Sequence, residues 1–201
     1  MGVLAALGRD LARTVTDMEK KADQIDALII KHSCVGGAAG LVPVPLVDDL
    51  VMLGNQIVMY RNINSVLGVS LAKDTLKVIG MFMLSQAAGL LAAFGIAVAG
   101  SILSKFLKAS IVGAPIGMAL NAVVNASITY VLGIVYARAL VKVVGSGKTP
   151  TAENLKEELK AQFADTDNLK KLYEEGKEKL KDKKFSDYKN DAEEAKKHAE
   201  D

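Results

Sequence analysis

The stretch VIGMFMLSQAAGLLAAFGIAVAGSILS, residues 78–104, contains twenty-seven consecutive residues without a charge. A second run of twenty-nine uncharged residues occupies positions 109–137. Each run exceeds the roughly 20 residues that an α-helix needs to cross the hydrocarbon core of a bilayer. The two runs therefore predict an all-α fold built on a membrane helical hairpin over residues 78–137. The alternative is a soluble bundle with the hairpin buried inside, although core helices of soluble proteins usually keep a polar stripe.

The composition agrees with an apolar centre between charged ends. Half of the 201 residues are hydrophobic, yet only 5% are aromatic and Trp is absent. Net charge is 0 over residues 1–34, +5 over 35–148 and −3 over 149–201. We therefore expect three parts: an amphipathic heptad helix (1–34), an apolar helical membrane domain (35–148) and a charged helical tail (149–201). The mixed charges of an acidic tail argue against nucleic acid as a partner.

The N-terminal part reads as one amphipathic helix over residues 3–33, because apolar residues recur at seven-residue spacing between charged ones. This narrow seam has to pack on a helix of the same chain, on a second copy or on a membrane surface. The positions of the seam, written as d/a pairs, are Leu4/Gly8, Leu11/Val15, Met18/Ala22 and Ile25/Ile29.

Glycine and proline interrupt the chain before the first uncharged run. Gly36, Gly37 and Gly40 are expected to weaken any helix in this stretch, and Pro43 and Pro45 predict a bend. Asp48 and its neighbour Asp49 are then expected in the first turn of a helix that runs to about Leu67, because acidic side chains favour the positive end of the helix dipole.

Small and weakly polar residues recur every four positions in both uncharged runs. Such stripes allow helix backbones to approach closely in lipid, where packing and interhelical hydrogen bonds hold helices together. Asn121, Asn125 and Thr129 would contribute to helix–helix hydrogen bonding or, alternatively, to the polar lining of an oligomeric pore. Pro115 is expected to open or kink the second helix. The candidate helix-packing or pore-lining residues are Ser85, Gly89, Ala93, Ala97, Gly113, Gly117, Asn121, Asn125, Thr129 and Gly133.

Basic residues near the ends of the runs predict the orientation. Six of them lie on the terminal side and only Lys105 and Lys108 lie in the loop between the runs, so both termini are expected on the cytoplasmic side of a bacterial inner or other intracellular membrane. The six are Arg61, Lys73, Lys77, Arg138, Lys142 and Lys148.

The tail is expected to begin as a helix at the sequence TPTAENLKEELKAQF. Thr149 would cap this helix, Pro150 would occupy its first position, and Leu155 and Leu159 would form its apolar side. Two further helical pieces are expected near residues 166–181 and 187–199, and they are so rich in charge and poor in apolar residues that we expect them to be solvated or partly disordered.

The segment VVGSGKTP, residues 143–150, ends like a nucleotide-binding P-loop. A P-loop needs a first glycine five residues before Gly147, where Lys142 stands, and it follows a short strand rather than a long apolar helix. The segment is therefore interpreted as the boundary between the apolar domain and the tail. His32 and His198 are the only histidines and have no nucleophile or metal-ligand spacing around them. We predict no catalytic, metal or cofactor site.

Two stretches carry a family resemblance. PVPLVDDLVMLGNQIVMYRNINSVLGVS (residues 43–70) and NAVVNASITYVLGIVYARAL (residues 121–140) resemble the GTPase-associated domain of unknown function. The matching positions are Pro43, Pro45, Asp48, Met59, Gly68, Asn121, Ala122, Thr129, Tyr130 and Gly133.

That domain occurs alone in bacterial inner-membrane proteins or fused to Era-like GTPases. The resemblance implies a helical membrane domain that works with a GTPase. Because this sequence contains no GTPase domain, that partner is expected to be a separate protein.

Taken together, these features predict a non-enzymatic membrane protein that acts as an oligomerising scaffold or membrane-shaping factor. Its expected partners are membrane lipid, further copies of itself, and a separate GTPase or another cytosolic protein. Two alternatives stay open: a pore or transporter component lined by Asn121, Asn125 and Thr129, and a soluble helical bundle that binds lipid or another apolar ligand.

Overall fold

The computed structural model describes the backbone of residues 2–39, 47–93 and 114–181, and side chains within 16–38, 52–90 (except Ala88) and 122–181. These ranges form six α-helices and contain no strand, so the all-α prediction is confirmed for them. The helices are α1 (Gly2–Ala39), α2 (Val47–Leu67), α3 (Lys73–Ala93), α4 (Ala114–Gly145), α5 (Ala152–Phe163) and α6 (Thr166–Leu180).

Helix α4 forms the centre of the bundle because nearly all of its sides are apolar. It packs mainly on α1 and α6 and then on α5, while α2 lies against both α1 and α3. The fully buried side chains of α4 include three of the largest in the core: Tyr130, Leu132 and Tyr136. A helix that is apolar all round is stable in water only when other elements cover it, and α1, α5 and α6 do so here.

The predicted hairpin of two membrane spans is not what the described residues show. One helix, over Ala122–Gly145, is long and apolar enough to cross a bilayer, and 67% of its most apolar window is buried inside the protein. Helix α3 packs chiefly on α2 and α5 and only weakly on α4. The sequence predicts that the two uncharged runs pack on each other in lipid, but among the described residues the main neighbours of α4 are the charged helices α1, α5 and α6.

Helix α1 continues through Gly36 and Gly37 to Ala39, so the prediction that these glycines weaken it is wrong. A Cβ on Gly36 would overlap Thr129 Oγ1 and would lie 3.1 Å from Thr129 Cβ. The glycine is needed because α1 and α4 approach closely at this point.

The predictions for α2 and for the start of α4 are confirmed. Helix α2 begins at Val47 and ends at Leu67, and α4 begins at Ala114, which leaves Pro115 in its first turn. Gly68 follows α2 with a φ of 71°. Its N–H donates to Ser65 O (3.2 Å) and the N–H of Val69 donates to Asn64 O (2.8 Å), the two bonds of a Schellman cap.

The C-terminal helices differ from expectation in two respects. The cap of α5 is Thr151, whose side chain accepts from Asn154 N, and not Thr149. A helix near residues 166–181 is confirmed, but the prediction that it is solvated is wrong, because one side of α6 is buried against α4. Residues 187–199 lie outside the described residues. The buried residues of α6 are Leu169, Leu172, Tyr173, Gly176 and Leu180.

Candidate functional surfaces and a buried polar core

The small-residue stripe of α4 faces α1 where its side chains are described. Thr129 is fully buried, donates to Asn125 O (2.9 Å) and lies against Gly36. One turn further on, a Cβ on Gly133 would come within 2.9 Å of Ile29 and 3.1 Å of Met59 Sδ. The stripe is therefore a close-packing surface for α1 within this chain.

The remaining candidates of the two stripes are distributed differently. Asn125 is half-buried on α4, whereas Ser85 and Gly89 are exposed on α3, and no atom lies within 4 Å of a Cβ built on Gly89. Ala93, Gly117 and Asn121 lie on helices, but their side chains are outside the described set, as is that of Asp48 in the first turn of α2. Ala97 and Gly113 lie outside the described residues, and so do Pro43 and Pro45.

The exposed side of α3 carries no charge after its second turn. Its charged residues, Lys73, Asp74 and Lys77, all lie near the N-terminus of the helix. Beyond them the exposed positions are Val78, Met81, Ser85 and Gly89. Val78 is 40% exposed and Met81 is 57% exposed. We call these four residues the uncharged face of α3.

Ser85 on this face is satisfied by its own helix. Its hydroxyl donates to Phe82 O at 2.6 Å, so the group requires no water as an acceptor. The exposed sides of α5 and α6, in contrast, consist mainly of Lys and Glu. The uncharged face of α3 thus differs from the ordinary solvent-facing helices of the same molecule.

A buried histidine links α1 to α2. Asn55 accepts from His32 Nδ1 (2.7 Å) and donates to His32 O (2.9 Å), while Asn62 Nδ2 donates to His32 Nε2 (3.2 Å). Because Asn62 supplies a donor, Nε2 is the acceptor and the ring proton resides on Nδ1. Burial, opposed by the hydrogen bond to Asn55, lowers the pKa of His32 below 6.5. The imidazole is therefore held neutral as a structural hydrogen-bonding group.

A second set of buried polar side chains, on α2, includes atoms with no hydrogen-bond partner among the described residues. Gln56, Tyr60 and Asn64 follow each other at four-residue spacing on α2, and all three are buried. Tyr136 donates to Asn64 Oδ1 (2.7 Å) and its ring stacks on Tyr60 with 4.0 Å between centroids. The Gln56 amide, the Tyr60 hydroxyl and Asn64 Nδ2 have no hydrogen-bond partner among the described residues. Such groups raise the free energy of the folded state.

A charged cluster fastens α6 to α1 and α4. Lys179 Nζ lies 2.8 Å from Asp26 Oδ1 and 3.3 Å from Glu175 Oε1. The Tyr130 hydroxyl donates to Glu175 Oε1 at 2.6 Å. Lys179 Nζ lies 5.3 Å from the centre of the Tyr130 ring. Burial lowers the pKa of Lys179, but the hydrogen bonds to Asp26 and Tyr130 and the charges of these two groups together outweigh burial, so the pKa is raised. The cluster joins α1, α4 and α6, and each of its charged side chains lies within ion-pair distance of an opposite charge.

The amides of the Gly-Ser-Gly-Lys sequence are engaged in ending α4. Gly147 has a φ of 75°, its N–H donates to Val144 O (2.9 Å), and the N–H of Lys148 donates to Val143 O (3.1 Å). The N–H of Ser146 donates to Lys142 O (3.0 Å). These groups form a Schellman cap at the negative end of a helix, whereas a phosphate cradle needs free amides at a positive end.

An open apolar groove of about 390 Å³ lies between α1 and α4. The residues lining the groove are Ala22, Ile25, Asp26, Ile134, Ala137, Arg138, Val141 and Lys142.

No group of three or more His, Cys, Asp or Glu side chains that could hold a metal ion occurs in the described part of the chain.

Comparison with known protein families matches residues 7–168 to the Domain of unknown function (DUF697). The chain belongs to this family. Comparison with curated proteins and with solved structures found no match. The family assignment confirms the domain of unknown function predicted from residues 43–70 and 121–140, and it extends over α1, α5 and the first residues of α6.

The positions on which the sequence resemblance was based occupy different places in the bundle. Met59 of α2 contacts Gly133 of α4 at the point where Ile29 of α1 also packs. Tyr130 joins the charged cluster on α6, and Gly68 ends α2. The interactions of His32 and Gly36 were not predicted, because each partner lies on another helix and local spacing contains no signal for it.

Proposed function

We propose that this DUF697 protein is a non-enzymatic, oligomerising membrane scaffold that contacts lipid through the uncharged face of α3. The observation that supports the proposal is the continuous exposure of Val78, Met81, Ser85 and Gly89 without a charge. Transferring exposed apolar side chains from water into lipid is favourable by about 25 cal/mol per Å² of buried area. A charged group at the same position would oppose that transfer.

The other helices fit the same role. Lys and Glu cover the exposed sides of α5 and α6, which suits a surface that faces the cytosol and a protein partner. A separate GTPase is the class of partner that the sequence resemblance implied. A cytoplasmic position for both ends of the chain, at a bacterial inner or other intracellular membrane, is part of the proposal and would place the charged helices α5 and α6 in the cytosol.

Vesicle flotation of the purified full chain tests the proposal. We expect the protein to float with phosphatidylcholine vesicles and to remain bound after an alkaline wash. Met81→Glu should weaken binding by at least about tenfold, which corresponds to about 1.4 kcal/mol. Ala161→Glu is the matched control, because Ala161 is exposed on α5 and the change of net charge is the same.

Two outcomes would reject the proposal. One is a protein that stays in solution without detergent and does not float, which would favour the soluble helical bundle. The other is an equal loss of binding in Met81→Glu and Ala161→Glu, which would mean that α3 is not the lipid-contacting surface.

A further inference from the structure

Exposed apolar side chains also occur at a second place, where α4 ends beside α1. Met18 is 66% exposed on α1, and Val141 and Val144 are 53% and 43% exposed on α4. Val141 lines the α1–α4 groove with Ala22, one turn of α1 after Met18. With Val78 and Met81 of α3, these three are the large hydrophobic residues found exposed in the described side-chain set.

Helix α1 extends beyond the helix on which it packs. Thr129 lies opposite Gly36, Gly133 opposite Ile29, and Val141 lines the same groove as Ala22, so the two helices are antiparallel. Since α4 ends at Gly145, it covers α1 to about position 18. The helical backbone of α1 continues to Gly2, which adds about 16 residues or about 24 Å.

The described part of the heptad seam becomes more exposed toward the N-terminus of α1. Ile29 is fully buried against α4 and Ile25 is half-buried, but Met18 and Ala22 of the same seam are exposed. Among the described side chains, burial of the seam is therefore confined to its C-terminal part, while the sequence continues the repeat to Leu4. The rest of the seam requires a partner that continues this interface.

The charges beside the seam favour a helix over a lipid surface as that partner. Asp17, Glu19 and Lys21 are exposed and closely flank Met18, and Arg9, Asp10 and Arg13 lie between the earlier seam positions of the sequence. Lipid-binding amphipathic helices present a broad apolar side, whereas a narrow seam bordered by charges of both signs is typical of coiled coils.

The alternation of side-chain size along the seam favours a second copy in antiparallel orientation. The d positions carry large residues such as Leu11, and the a positions of the projecting segment carry Gly8 and Val15. In an antiparallel pair each d position meets an a position of the other helix, so large residues face small ones. Full overlap of the two projecting segments places Leu11 of one copy opposite Gly8 of the other.

We propose that the projecting part of α1 pairs with α1 of a second copy in an antiparallel, two-fold symmetric contact. Met18 and Val144 then cover the N-terminal end of the partner helix. Such isologous contacts are the commonest arrangement of homo-oligomers. The proposal rests on the oligomerising part of the proposed function and names the surface that performs it.

Sedimentation equilibrium of the full chain tests the contact. We expect a concentration-dependent dimer whose Kd rises at least about tenfold in Met18→Glu, because the substitution buries a charge in the seam. Ala27→Glu is the control, since Ala27 is exposed on the opposite side of α1. Unchanged helix content by circular dichroism shows that both variants fold. A monomeric wild type, or equal weakening by both substitutions, overturns the proposal.

Disulfide cross-linking tests the orientation, with Cys34→Ala as the background. A mixture of Gly8→Cys and Leu11→Cys proteins should form a cross-linked dimer upon oxidation, and each protein alone should form much less. Efficient cross-linking of each protein alone would indicate a parallel pair and overturn the assignment. Flotation is measured separately on the same variants. Loss of flotation with an intact dimer rejects the membrane proposal alone, and loss of the dimer with intact flotation rejects this inference alone.

Discussion

Single side chains determine how closely the helices of this bundle approach each other. Gly36 and Gly133 lie in α1 and α4 at points where a methyl group would meet Thr129 or Ile29. The four-residue spacing predicted a small-residue contact along α4, but not which helix would occupy it. Gly36 and Thr129 are 93 positions apart, so no local pattern connects them.

Gly36→Ala should lower the free energy of unfolding by about 1–3 kcal/mol, because the new Cβ overlaps Thr129 Oγ1 in a closely packed interface. Gly54→Ala is the matched control, since Gly54 is an exposed position in α2 with no atom within 4 Å of the added Cβ. That change should raise stability by about 0.5–1 kcal/mol. Urea unfolding measures both, and Thr129→Ala should partly rescue Gly36→Ala. Equal effects at Gly36 and Gly54 would contradict the close contact.

The buried amide of Gln56, which has no hydrogen-bond partner among the described residues, leads to the prediction of a substitution that raises stability. Gln56→Met keeps an unbranched side chain of similar length and removes two buried polar atoms that have no hydrogen-bond partner in the part of the chain that the structure describes. We expect stability to increase by about 1–3 kcal/mol, the desolvation cost of an unsatisfied group. Gln24→Met, at an exposed position of α1, should change stability by less than about 0.5 kcal/mol. Destabilisation by Gln56→Met would show that the amide does have a partner.

Whole helices were predictable from the sequence where their ends carry local signals. Helix α2 follows from Asp48 at its start and Gly68 at its end, and both bounds agree with the structure. The charge content of α6 predicts a solvated helix, and this prediction is wrong because Leu169, Leu172 and Leu180 lie on one buried side of it. Spacing, and not the proportion of charged residues, decides whether a helix can be buried.

The free energy of unfolding should depend on pH through His32, which links α1 to α2. Because burial lowers its pKa in the folded protein, the unfolded chain binds a proton first as the pH falls below about 6.5. Stability should therefore decrease between about pH 7.5 and pH 5.5, by up to about 1.4 kcal/mol per unit below 6.5. His32→Gln should show a smaller decrease than the wild type in urea unfolding at the two pH values. Parallel curves would mean that His32 titrates alike in both states.

The whole molecule combines a buried apolar interior with two groups of exposed apolar side chains. Its centre, α4, was correctly expected to be a long apolar helix, but the expectation of a two-span hairpin failed because the covering helices come from distant parts of the chain. What distinguishes this bundle from an ordinary soluble one is the placement of its exposed apolar residues. Val78 and Met81 lie on α3, and Met18, Val141 and Val144 lie where α1 passes the end of α4.

Membrane binding through an uncharged face should be nearly independent of salt. Raising the ionic strength from about 0.1 M to about 1 M shortens the Debye length from about 10 Å to about 3 Å and screens exposed charges. It does not weaken the burial of Val78 and Met81 in lipid, so flotation with neutral phosphatidylcholine vesicles should be unchanged. Binding that occurs only with anionic vesicles and falls tenfold at high salt would instead assign the attraction to basic residues, and would remove the reason to regard the uncharged face of α3 as the membrane contact.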